Sequence, residues 1–151
     1  MHAITTVPAA AGSAAMHEIL GMTHHYRVTP ADTGGHYLAF EMLVPPGCGA
    51  PPHRHEIDSE FFHVLDGELT IVQPDGQRIA RAGSSAYLPA GGEHAFHNAG
   101  TQPARVLVVA SPGIEAERFF ADLDAATRTS GVDPAVVSAT ARRHGLTILA
   151  A

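Results

Sequence analysis

Between Glu18 and Pro112 the chain is cut into short apolar runs by clusters of Gly, Pro, Asn and Asp, the pattern of an antiparallel barrel or sandwich. The whole chain holds fifteen Gly and eleven Pro, and most of them fall in this stretch. Over His36 to Val44 the alternation puts His36, Leu38, Phe40, Met42 and Val44 on one mostly apolar face, since side chains two apart in a strand point the same way. Further strands are predicted over Glu60–Leu65, Gly67–Gln73, Tyr87–Pro89, Glu93–Asn98 and Arg105–Ala110. Pro74-Asp75-Gly76 supplies a tight turn that returns the chain through Arg78–Arg81.

The period changes after Pro112. Ala116, Phe119, Phe120 and Leu123 follow the i, i+3, i+4, i+7 spacing, which predicts an amphipathic helix from Ile114 to about Arg128. Asp133 as N-cap, Pro134 in the first turn and Gly145 past the end predict a second over Pro134–His144. The first helix carries Glu115, Glu117, Asp122 and Asp124 against Arg118 and Arg128. That charge suits a helix pair closing a barrel end or packing on a partner subunit, not a reader of DNA. The expected division is an N-terminal arm over 1–15, a barrel over 16–112 and a helical segment over 113–151.

Composition removes several classes. With 45% hydrophobic and 16% charged residues the chain is that of a folded domain, and no window reaches the run of apolar residues a membrane span needs. The nine basic residues are all scattered Arg and the net charge is −6, so neither nucleic acid nor an anionic membrane is expected as a partner. Without lysine there is no amine for Schiff-base or pyridoxal-phosphate chemistry. The single Cys48 permits no intrachain disulfide. Met1–Ala15 lacks the basic residues of a secretory signal, which makes a cytoplasmic location the expectation.

The chemistry sits in two segments. From Gly47 to Gly67 the chain reads GCGAPPHRHEIDSEFFHVLDG. His53 and His55, two apart, share a strand face, and Glu60 on the next strand after a short loop comes alongside as an oxygen donor. From Gly83 to Asn98 it reads GSSAYLPAGGEHAFHN, where Pro89 and the Gly91-Gly92 pair force a turn just before His94 enters a strand. Three imidazoles and one carboxylate converge. His63 is offset by three from Glu60 and His97 by three from His94, so both are predicted on the opposite face. His24, His25, His36 and His144 are read as core or solvent-facing residues, and Cys48 as a small buried one. Gly67, Gly83 and Gly91 are read as turn glycines of positive φ, since no phosphate-binding loop pattern precedes a helix.

These segments resemble the two signature motifs of the cupin superfamily, G-x5-H-x-H-x4-E-x6-G and G-x5-P-x-G-x2-H-x3-N. Every fixed position is met, by Gly47, His53, His55, Glu60 and Gly67, then by Gly83, Pro89, Gly91, His94 and Asn98. The resemblance implies an all-β double-stranded β-helix, a jelly-roll barrel, here followed by two C-terminal helices. It also implies one divalent transition metal ion (Fe, Ni, Mn, Co, Cu or Zn) held by His53, His55, Glu60 and His94, and assembly as a homodimer. The Ala-rich arm and the Phe119, Phe120 helix offer apolar cover for such an assembly.

Four ligands leave one or two open positions on an octahedral ion, the condition for catalysis. An ion with one carboxylate carries a formal charge of about +1 in an apolar barrel and favours an anionic oxygen donor such as an enolate, phenolate or carboxylate. Faces continued from the ligands make Phe40, Met42, Phe62, Val64 and Phe96 the expected lining of a substrate pocket.

From Thr29 to Leu123 the chain is also similar to small bacterial cupins grouped with quercetinases, the flavonol 2,4-dioxygenases. That similarity implies a dioxygenase in which Glu60, part ligand and part general base, takes the proton from an enolic or phenolic small molecule and dioxygen adds to the activated substrate. The same ligand set also serves non-oxidative isomerases, lyases and cyclases, and barrels that only bind small molecules. All three classes stay open at this stage.

Overall fold

The structure, a computed structural model, describes residues 15–149; the arm expected over 1–15 falls, except for Ala15, outside the described residues. Strands β1 (Met16–Ile19), β2 (Met22–Val28), β3 (Leu38–Val44), β4 (Gly49–His55), β5 (Ser59–Asp66) and β6 (Glu68–Gln73) come first. They are followed by β7 (Gly76–Arg81), β8 (Ser85–Leu88), β9 (His94–His97) and β10 (Ala104–Ser111). Helices α1 (Ile114–Ser130) and α2 (Pro134–Arg143) and a last strand β11 (Leu146–Ile148) complete the chain. The strands make two antiparallel sheets, in the orders β1-β2-β3-β10-β5-β8 and β11-β4-β9-β6-β7. This is the all-β jelly-roll with two C-terminal helices that the motifs imply.

Period-two alternation sets the core. On β3, Leu38, Phe40, Met42 and Val44 are buried while Leu43 is exposed, and on β10 Ala104, Val106, Val108 and Ala110 are buried in the same alternation. The register aligns these faces across the sheet: Phe40 faces Val108, which faces Phe62, and Leu38 faces Ala110, which faces Glu60. Glu60 therefore projects into the barrel from the row next to the most apolar one. His36 lies outside β3 and is exposed, because the strand begins two residues later than its alternation suggests.

Gly67, Gly83 and Gly91 all have positive φ, as their turn positions require. Gly49 is a glycine for a different reason. A Cβ there would collide with the Phe96 carbonyl oxygen and stand 2.6 Å from Cα of His97, so its absence lets β4 and β9 approach.

Both helices roof one end of the barrel. Asp133 caps α2, its side chain accepting from Ala135 N at 2.8 Å. Gly113 occupies the N-cap of α1 with no side chain to offer, and buried Asp58 does that work from the β4–β5 loop. Its two carboxylate oxygens accept from Gly113 N at 2.8 Å and Ala116 N at 3.0 Å. Close by, His144 at the end of α2 reaches Asp122 at 2.8 Å and Glu115, in the first turn of α1, at 3.2 Å, and holds α2 onto α1. Phe119 and Phe120, expected to offer cover to a partner, are spent inside the chain, each 6% exposed. Phe120 packs edge-on against Phe40, with ring centroids 5.4 Å apart.

The sequence predicts a helical segment over 113–151, but after α2 the chain turns to strand. β11 returns to the five-stranded sheet and pairs with β4, Leu146 opposite His55 and Ile148 opposite His53.

Candidate metal centre

His53, His55, Glu60 and His94 meet in the barrel, each no more than 6% exposed. Their donor atoms all lie within 4.8 Å of one another. The three histidines stand on the five-stranded sheet, His53 directly opposite His94 across the β4–β9 ladder. Glu60 arrives from the other sheet. It reaches the imidazoles across the core and is not a neighbour of β4 within one sheet, the arrangement its place after a short loop suggests. The centre thus bridges both layers.

Local chemistry sets the approach of the ligand strand. Pro51 and Pro52 have no N–H to give to the ladder, and the β4–β9 register shifts between Ala50 and His53. The carbonyl this bend presents accepts from His53 Nδ1 at 2.7 Å, and the Gly92 carbonyl accepts from His94 Nδ1 at 3.3 Å. Each bond places the proton on Nδ1 and leaves the Nε2 lone pair facing the centre. Glu60 Oε2 lies 3.2 Å from His94 Nε2 and 3.4 Å from His55 Nε2. His94 Nε2 and His55 Nδ1 make no well-aligned hydrogen bond among the described residues.

Protonation states match a cation site. Burial opposes ionisation of Glu60, yet His55, His94 and His53 outweigh it and hold its carboxyl down to about 2. Burial, aided by His94 and His55, pushes His53 down to about 4. Three imidazoles, a carboxylate and, among them, a buried ring nitrogen without a hydrogen-bond partner among the described residues make a donor set that a divalent transition ion takes.

The same shifts set an acid sensitivity. Buried His24 is held down to about 3, and His53 to about 4, against 6.5 for a free imidazole. Below 6.5 the unfolded chain takes up protons that the folded chain refuses, so stability is present above that pH and declines from there, towards about 4 for His53 and about 3 for His24. Urea unfolding of the metal-free protein should show a clearly lower midpoint at about pH 5 than at about pH 7.5. Equal midpoints would contradict the burial of these neutral rings.

A cavity of about 560 Å³, mouth included, opens beside the centre. Phe40, Met42, Phe62 and Phe96 line it together with His53, His55 and Glu60, as the strand faces suggest. Val64, the fifth expected lining residue, is buried opposite Val106 and is not part of the wall. His63 and His97 stand away from the cluster, His63 against Ser85 at 2.8 Å and His97 exposed. Cys48 packs half-buried at the edge of the core and does not join the centre. Helix residues Phe119, Phe120 and Leu123 also line it, as does His24, which is a core residue, one of the two places the sequence allows it, and faces the cavity as well. The signal was there: Met22, His24 and Tyr26 alternate with Thr23, His25 and Arg27, which places His24 on an inward face.

Residues 40–110, which include all four residues of this centre, match the family model of the cupin domain. Among solved structures, it is similar to the polyketide cyclase RemF from Streptomyces resistomycificus, at 25% identity and a TM-score of 0.62 over 72% of this chain and 80% of that one. A sugar phosphate isomerase from Silicibacter pomeroyi DSS-3 is 29% identical, with a TM-score of 0.53 over 60% of this chain and 59% of that one. Mannose-1-phosphate guanylyltransferase 2 of Escherichia coli O157:H7 is 30% identical over 80 residues, 53% of this chain and 17% of that enzyme. The chain spans less than half the length of the curated relatives it matches. No helix among the described residues is long and apolar enough to cross a membrane.

Proposed function

We propose that this chain is a metal-dependent cupin oxygenase of quercetinase-like type, acting on an enolic or phenolic aromatic small molecule. The observation that carries the reading is the composition of the cavity wall. Phenylalanine rings surround the carboxylate-and-imidazole cluster, and no arginine lines the space among the described residues. A phosphorylated sugar needs a cationic partner for its phosphate, so the wall disfavours the substrate class named for the similar isomerase. A flat apolar molecule with one acidic hydroxyl suits it.

His53, His55, Glu60 and His94 would hold the ion, which supplies Lewis acidity and open positions for an anionic oxygen. Glu60 then has two tasks. As a carboxylate, it would neutralise one charge of the ion. Sited next to the place where the substrate hydroxyl arrives, it also accepts that proton. The aromatic wall excludes water, which strengthens the attraction between the resulting oxyanion and the centre. Addition of dioxygen to the electron-rich substrate completes the oxygenase reading.

A second reading, ring closure or isomerisation without oxygen, is favoured by the similarity to a polyketide cyclase. Both readings share the deprotonation. Metal-loaded protein assayed on flavonols and related enols in an oxygen electrode separates them: oxygen uptake matched to substrate loss supports the oxygenase, and turnover under nitrogen the second reading. No turnover of any kind would leave a binding barrel.

Glu60→Gln tests the base. The amide is a weaker donor, so the variant should purify with less metal, and excess metal should refill it. Turnover of the refilled protein should remain about 100- to 10,000-fold below wild type, the range a positioned proton acceptor contributes. Wild-type turnover in that protein would remove Glu60 from the proton transfer.

A further inference from the structure

Among the described residues, His24 is the one polar side chain in the cavity wall that does not belong to the four-residue cluster. It is 2% exposed, and neither ring nitrogen has a hydrogen-bond partner among the described residues. Its imidazole stacks on Phe40 with ring centroids 4.5 Å apart and meets Phe120 edge-on at 4.6 Å. These contacts fix the ring plane. They leave both ring nitrogens without a partner among the described residues, on a ring that lines the cavity.

A phenylalanine would make the same stack without cost. A buried imidazole with no partner forfeits the hydrogen bonds it had in water. Burial also holds it neutral, at about 3, so that one nitrogen donates and the other accepts. His24 and Glu60 line the same cavity, which sets the imidazole on the wall of the space that the centre opens into.

We propose that His24 is a substrate-recognition residue: it hydrogen-bonds a hydroxyl or carbonyl at one end of a ligand whose acidic oxygen lies at the His53, His55, Glu60 and His94 cluster. This rests on the enol or phenol reading of the site and narrows it. The substrate class becomes a flat ring with two oxygen functions, one acidic and one neutral, separated across an apolar middle. Phe40 and Phe120 hold the recognising ring, and nothing else among the described residues of the wall offers the distal oxygen a partner.

The test uses zinc-loaded full-length protein and two hydroxypyranones, allomaltol and kojic acid. They share the acidic enol beside a carbonyl and differ by one hydroxyl on the opposite side group. By calorimetry the wild-type protein should bind kojic acid about 5- to 10-fold more tightly than allomaltol, the value of one neutral hydrogen bond. In His24→Phe, at unchanged zinc content, the two affinities should become equal. His24→Leu serves the same purpose if the larger ring does not fit. His24→Gln, which restores a donor and an acceptor, should recover part of the preference. The His24 ring nitrogen resonances of wild type should move on addition of kojic acid and not of allomaltol.

Equal affinities in wild type, or a preference that survives His24→Phe, would overturn the proposal. Binding of neither pyranone to zinc-loaded wild type would instead overturn the enol reading of the centre, and this proposal with it.

Discussion

His55→Ala and His94→Ala proteins, purified without added metal, should each contain far less than one equivalent of divalent ion, with affinity reduced at least about 100-fold. That exceeds the 10- to 100-fold typical of losing a group that only orients a ligand. Each change removes an imidazole whose Nε2 faces Glu60, and no other donor among the described residues stands within the cluster to replace it. His63→Ala and His97→Ala are the matched controls. Both residues sit on β-strands next to the centre but on the outward face, and their loss should leave metal content at one equivalent. Elemental analysis of the four proteins checks the set. Ion loss in either control, or retention in His55→Ala, would mean that the inward faces are misassigned.

Asp58→Ala should cost about 2 to 4 kcal/mol of stability, because it removes two hydrogen bonds to one buried carboxylate and leaves the first turn of α1 uncapped. For a domain of this size the melting temperature should fall by roughly 5 to 10 °C. Asp58→Asn, which retains an oxygen but not the charge that favours a helix N-terminus, should lose less. The loop that carries Asp58 runs between His55 and Glu60, so the alanine variant should also bind metal more weakly. Calorimetric melting with and without zinc measures both effects. A melting temperature within about 1 °C of wild type would show that the cap contributes little.

The metal cluster was legible because cupin ligands come in two short stretches whose spacings survive as sequence. His53 and His55 need only a strand between them, and His94 only the Pro89 and Gly91 turn before it. Alternation gave the inward faces of β3 and β5, and helical spacing with caps gave α1 and α2 to within two residues. What could not be read was everything that depends on pairing between distant segments. Asp58 looks like any polar loop residue until it is seen under Gly113, 55 positions away. His24 looks like one more histidine until β2 is folded against Phe40 and the α1 ring pair closes over it. The three-residue β11 has no periodicity to detect, since its existence depends on the free edge of β4. Val64 shows the limit in the other direction: its face is right, but its place along β5 lies beyond the cavity.

The pairing of β11 with β4 has a consequence for the order of events during synthesis. His53 and His55 leave the ribosome early, yet the edge beside them stays open until Leu146 and Ile148 have followed. Throughout that interval the nascent ligand strand presents unpaired backbone groups, the feature by which strands recruit other chains. The double proline within β4 limits the hazard, because Pro51 and Pro52 have no N–H to offer a passing strand. The residues that bend the strand toward the centre thus also act as its guard against misassociation while the chain is being made.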